Sequence, residues 1–195
     1  MTNKTKLKKK TKTNEEFYSL VEEGVDVENR IIYLFETIDF NSVGKRARAI
    51  EAMILNDSEK PINIFIGSFG GSSYAGFWLY DFIRSKDIEI NTYGCGAIMS
   101  AGSIVFMAGD KRYIYPHSKL MLHSISSWSS GKLFVDLKPE TESCEQIYSD
   151  MCRLYAKYSC KNYNFWYNEL KYTDKTFNSK EAINYKLADK IVEIF

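Results

Sequence analysis

Short runs of β-branched and aromatic residues alternate along this chain with segments whose apolar positions return every three or four residues. RIIYLF (30–35) and INIFIGS (62–68) are bounded by polar residues or glycine and have the composition of strands. Between them Val43, Ala47, Ile50 and Ile54 recur at helical spacing, with Lys45, Arg46 and Arg48 on the other face. That predicts a helix and, with its flanking strands, a βαβ-like unit. The alternation continues: SSYAGFWLYDFIRSK reads as a helix, IEINTYG as a strand, SAGSIVFMAG as a short helix, and KRYIYP and KLMLHS as two strands. From about 137 to 170, Leu137, Cys144, Ile147, Met151, Leu154 and Tyr158 fall near one stripe of a long helix, with Pro139 suited to its first turn. Such a projecting helix suits packing against another subunit. SKEAINYKLADKIVEIF predicts a last helix and strand, and the whole pattern predicts an α/β core.

Composition narrows the function classes. A chain of 195 residues can bury one sizeable core, in one domain or at most two small ones. Its 45% hydrophobic and 26% charged residues are ordinary for a soluble globular protein. No run approaches the roughly 18 apolar residues of a spanning helix, which argues against a membrane role. The N-terminal lysines are not followed by an apolar stretch, so a secretory signal is not expected. These features place the chain in a cytoplasm or an organelle interior. Cys95, Cys144, Cys152 and Cys160 make neither a disulfide framework nor a CxxC metal site, and free buried thiols are expected; no metal or cofactor is indicated. MTNKTKLKKKTK holds six lysines and no acid; without it the formal charge falls from +1 to −5. Residues 1–14 therefore read as a disordered basic tail before a single domain at 15–195. No aromatics are interleaved with the lysines, so nucleic-acid binding is not expected.

Candidate chemistry lies in YGCGAIMSAGSIVFMAG (93–109). Ser100 falls where a strand gives way to a helix, among Gly94, Gly96, Ala101 and Gly102, so backbone and substrate can approach it closely. Free N–H groups at the start of a helix favour a developing negative charge, as a nucleophile with an adjacent oxyanion hole requires. A serine that merely caps a buried helix fits the same pattern. Ser103 reads as a helix-packing residue. Of the two histidines, His123 stands at a strand end before the loop SISSWSSG, where a general base could sit, and His117 follows Pro116 in a turn. YTDKTFNS supplies Asp174, a carboxylate able to hold an imidazole in its productive tautomer. The stretch GSFGGSS (67–73) lacks the Lys-Ser/Thr of a P-loop and the spacing of a dinucleotide turn; it offers the N–H groups of Gly70 and Gly71 to a carbonyl oxygen or a peptide strand.

GSFGGSSYAGFWLYDFIRS, GCGAIMSAGSIVFMAG and YPHSKLMLH, in that order, resemble the motifs of the proteolytic-subunit family of the Clp ATP-dependent protease. The likeness is gapless from Gly70 to Gly109 and weaker from about residue 28 to the C-terminus. It implies a crotonase-like α/β fold of repeated ββα units, a homo-oligomer of stacked heptameric rings interlocked by the long helix, and no cofactor. It assigns Ser100 as nucleophile, His123 as base, and the amides of Gly70 or Gly71 and of Ala101 as the oxyanion hole. The implied activity is serine-type endopeptidase cleavage of unfolded polypeptides delivered by an AAA+ unfoldase. A bacterial cytoplasm, a plastid stroma and a phage-infected cell all suit it.

Departures from the family pattern accompany the matches. Phe69 replaces the Pro before the glycine pair, and Ala101 replaces the Met after the nucleophile. The family's Asp lies two residues before the aromatic of RDxF, where this chain has Lys175; Asp174 lies three before Phe177, and the neighbouring Arg is absent. A non-catalytic ring subunit supporting active paralogues is the alternative function, and an acyl-CoA enzyme on the same fold is a more distant one.

Overall fold

Along strand β3 (Ile62–Ser68), Ile62, Ile64 and Ile66 are fully buried while Asn63, Phe65 and Gly67 stay partly open. This two-residue period is what a sheet with one face against a core demands. The computed structural model describes residue 13, residues 20–125 and residues 134–193, with side chains from residue 142 in the last stretch. The lysine-rich tail apart from Thr13, and the loop SISSWSSG beyond Ile125, lie outside the described residues.

β3 runs parallel to β2 (Ile31–Leu34) on one side and to β4 (Ile90–Met99) on the other. β1 (Val25–Asp26) joins β2 antiparallel. The far edge of β4 is shared: β5 (Arg112–Ile114) pairs with Thr92–Gly94, and β6 (Lys119–Leu122) pairs with Ala97–Met99. β7 (Lys175–Asn178) lies antiparallel on β6, and β8 (Lys190–Ile191) parallel on β5, completing eight strands among the described residues. β4 is thereby split, its first half beside β5 and its last residues beside β6. The split brings the end of β4 next to the end of β6.

Helix α1 (Phe40–Asn56) starts on a capping box, with Asp39 accepting from the Ser42 N–H and the Ser42 hydroxyl accepting from the Asp39 N–H. Its stripe Val43, Ala47, Ile50 and Met53 is buried. Helix α2 (Ser73–Arg84) buries Ala75, Leu79 and Ile83, and the six residues of α3 (Ala101–Phe106) are buried all round. These helices and the isoleucines of β3 belong to one core. On the opposite face Tyr33, Phe65, Tyr93 and Tyr113 are register neighbours across four strands, with ring centroids 5.4, 4.6 and 4.7 Å apart in turn. Cross-strand aromatic pairs of this kind contribute about 0.5–1.5 kcal/mol each beyond area burial.

The expected strand-helix alternation is present, and five readings differ. β4 runs past IEINTYG to Met99, because pairing with both β3 and β6 overrides the weak strand propensity of Gly94, Gly96 and Ala97. The stripe from 137 to 170 is two helices, α4 (Phe134–Tyr158) and α5 (Tyr163–Leu170), broken where Asn162 caps α5 through a 2.9 Å bond from the Phe165 N–H. Pro139 is the sixth residue of α4 rather than a first-turn residue. KTFN pairs as β7, and Cys160 is exposed whereas Cys152 is buried.

The break between α4 and α5 is fastened by Trp166, fully buried, whose indole N–H donates to Ser159 Oγ at 2.8 Å and whose ring meets Tyr155 and Phe177 edge-on. Trp166→Ala should destabilise the fold by about 3–5 kcal/mol, read as a lower denaturant midpoint at fixed protein concentration. Burial pushes the thiols of Cys152 and Cys95 up to about 11, leaving little thiolate at pH 8. Iodoacetamide at pH 8 should therefore alkylate Cys160 well before Cys152 or Cys95, as peptide mass mapping would show.

Candidate active site

Between the last residue of β4 and the first of α3 stands a single residue, Ser100, at φ 52° and ψ −125°. This positive-φ region is costly for any side chain with a Cβ and persists only where neighbours hold it. The Ser100 N–H donates to the Met121 carbonyl at 3.0 Å, and the Ser100 carbonyl accepts the N–H and the hydroxyl of Ser103 at 2.9 and 2.6 Å. Ser100 occupies the cap position of α3, yet its side chain makes no capping bond. Its Oγ lies 2.7 Å from His123 Nε2 instead. The capping alternative is thus set aside by geometry: the hydroxyl is aimed at the imidazole.

His123 arrives there because β6 pairs Met121 with Met99 and ends at Leu122, one residue short of the histidine. The strand that anchors the Ser100 backbone also leads directly into His123, so hydroxyl and imidazole are placed by one ladder. His117 is exposed in a turn and takes no part.

The turn after β3 closes over the serine. A Cβ on Gly70, at φ 107°, would stand 2.6 Å from Ser100 Cβ, and one on Gly71, at φ 147°, would collide with the Ile38 carbonyl. Only glycine permits this approach. The turn is fixed by Ile38 N–H to the Gly70 carbonyl at 2.9 Å and Ser72 N–H to the Ile38 carbonyl at 2.7 Å. Ser68, buried and not singled out by sequence, donates to the Glu36 carbonyl at 2.6 Å and accepts the Gly70 N–H at 3.1 Å. Its only signal is a small hydroxyl at the end of a buried strand before glycines. Of the three candidate amides, that of Gly70 is engaged, and no acceptor is seen among the described residues for those of Gly71 and Ala101.

Asp174 does not join this group in the structure. It is exposed, and no hydrogen bond links it to His123 among the described residues. Lys175, its neighbour, pairs with Leu122 in the β6–β7 ladder and sends its ammonium to Glu169, whose carboxylate raises the lysine above its ordinary range. No group of three or more metal-ligating side chains occurs among the described residues, and no helix there is long and apolar enough to cross a membrane.

A hydroxyl against an imidazole is an arrangement that can attack a carbonyl, and N–H groups without an acceptor nearby are what a resulting oxyanion needs. Comparisons with known proteins bear on which family uses it here. The family model described as Clp protease matches residues 13–194. The ATP-dependent Clp protease proteolytic subunit 2 of Corynebacterium efficiens is 28% identical over 167 residues, covering 85% of this chain and 83% of that protein. Subunit 1 of Mycobacterium leprae is 28% identical over 165 residues, covering 84% and 82%. Among solved structures, an asparagine-to-aspartate mutant of ClpP1 from Listeria monocytogenes superposes with a TM-score of 0.78 at 21% identity, covering 86% of this chain and 94% of that one. That likeness identifies the mixed α/β sheet as the crotonase-like Clp protease fold. With nearly the whole sequence inside the family model and the fold in agreement, this chain belongs to the Clp protease family.

Proposed function

We propose that this chain is an active serine endopeptidase subunit of a self-compartmentalised, ATP-dependent protease. The observation that carries the reading is the 2.7 Å contact between Ser100 Oγ and His123 Nε2 at a serine held in a positive-φ turn. Ser100 Oγ attacks the carbonyl carbon of a peptide bond while His123 Nε2 takes its proton. Negative charge develops on the carbonyl oxygen, opposite the N–H groups of Gly71 and Ala101. His123 then protonates the leaving amine, and water, activated by the same imidazole, releases the acyl group from Ser100. Members of this family form ring oligomers and work with Clp ATPases. For this chain we infer stacked heptameric rings of identical subunits in a cytoplasm, fed with unfolded polypeptide by an AAA+ unfoldase.

For the third position we retain Asp174. The β6–β7 register, continued by one rung past Leu122 and Lys175, sets Asp174 directly opposite His123, and opposed residues of an antiparallel pair share a face. Among the described residues the ladder ends one rung short of this pair.

Ser100→Ala should abolish cleavage of a small fluorogenic peptide and labelling by a fluorophosphonate while the ring still assembles; cleavage that survives the substitution would overturn the assignment. Asp174→Ala should lower kcat on the same peptide by about 10²-fold or more if the carboxylate orients the imidazole. Unchanged kcat would restrict the machinery to the Ser100–His123 pair.

A further inference from the structure

The carbonyl of Ser100 receives both hydrogen-bond donors of Ser103, the N–H at 2.9 Å and the hydroxyl at 2.6 Å. Because the Ser103 proton is committed to that carbonyl, the 2.8 Å contact between Ser103 Oγ and Tyr155 Oη has the tyrosine as donor. Tyr155 is fully buried on α4, and burial holds its ionisation well above the ordinary phenol range, so it remains a donor. Its ring is fixed edge-on against Trp166, with centroids 5.9 Å apart. A chain of three oxygens thus runs from the long helix to the backbone of Ser100.

The target of this relay matters more than its length. A trans peptide is a rigid plane in which C=O and N–H point in opposite directions, and no cis bond occurs among the described residues. The plane that carries the Ser100 carbonyl also carries the Ala101 N–H. Fixing the carbonyl from the core side therefore fixes the direction of the N–H on the other side. Buried hydroxyls cost free energy unless bonded, and an alanine in place of Ser103 with a phenylalanine in place of Tyr155 would fill nearly the same volume without that demand. Helix packing alone has no use for the pair of hydroxyls.

We propose that Tyr155 and Ser103 are positioning residues of the oxyanion hole, holding the Ser100–Ala101 peptide plane so that the Ala101 N–H faces the oxygen of the tetrahedral intermediate. The proposal rests on the reading of Ser100 as nucleophile. Since Tyr155 belongs to α4, the aim of the N–H follows the seat of that helix.

The test uses the full chain in its assembled form, as wild type, Tyr155→Phe, Ser103→Ala and the double variant. Three quantities are read: kcat and KM on a fluorogenic peptide, affinity for a peptide boronic acid, whose tetrahedral adduct puts an oxygen in the hole, and affinity for the amine-side product peptide, which has no acyl oxygen to put there. Each single variant should lose about tenfold in kcat and in boronate affinity, part of the 10²–10³ that follows outright removal of an oxyanion donor. KM and product affinity should stay within about twofold, and the double variant should be no worse than the worse single, because both act through one plane. Single variants matching wild type in kcat and boronate affinity, losses that multiply in the double variant, or product affinity falling together with boronate affinity would each overturn the proposal. If Tyr155→Phe does not fold, Ser103→Ala carries the same comparison alone. An assembled wild type that neither cleaves peptide nor forms a boronate adduct would overturn the nucleophile reading as well, whereas an active wild type with unaffected variants removes this proposal only.

Discussion

β4 passes into α3 through one residue, and the backbone of Ser100 at φ 52° is the constraint around which the neighbouring elements are arranged. Its N–H is held by Met121 of β6 and its carbonyl by Ser103 of α3, while the turn at Gly70 presses against its Cβ from above. A conformation of this kind costs about 1–3 kcal/mol, which the fully buried α3 offsets. The pairing of Met99 with Met121 then places His123 within 2.7 Å of the hydroxyl. Imidazole and hydroxyl meet because two strands are in register, not because two mobile side chains find each other.

Much of this was legible in the sequence where local chemistry and tertiary context agree. INIFIGS alternates as a strand and is one, and the stripe Val43, Ala47, Ile50 faces the core as its spacing predicts. Ser100 and His123 were picked out as candidates from a hydroxyl among small residues and a histidine at a strand end, and the structure brings the two side chains together. The readings that differ are those in which distant pairing decides. Gly94, Gly96 and Ala97 do not favour a strand, yet β3 and β6 make one of them. The apolar stripe of α4 continues in phase into α5, so periodicity could not show the break; the signal was Ser159 and Asn162, both hydroxyl or amide residues suited to helix ends. The Ser68 anchor and the Tyr155 contact join residues far apart in the chain and leave no local trace.

The geometry also bears on the alternative of a supporting subunit without activity. A ring contact can be built on the long helix alone. It gives no reason to hold a serine in an unfavourable conformation, to exclude every Cβ from Gly70, or to leave two N–H groups open beside it. The serine, the glycine turn and the His123 contact lie together at the junction of β4 and α3. Asp174 is the exception: it stands outside this group, one residue beyond the end of β7, where a single further rung separates it from the imidazole.

With Ser100 as the proposed nucleophile, its positive φ sets stability against activity at a single position. Glycine there would relax the backbone and leave every neighbouring hydrogen bond of the main chain intact. A population of variants screened only for resistance to heat would therefore drift toward glycine at residue 100 and lose its hydroxyl, while one screened for turnover would keep the less stable serine. The residue proposed as nucleophile is thus also the one on which the two kinds of selection would part.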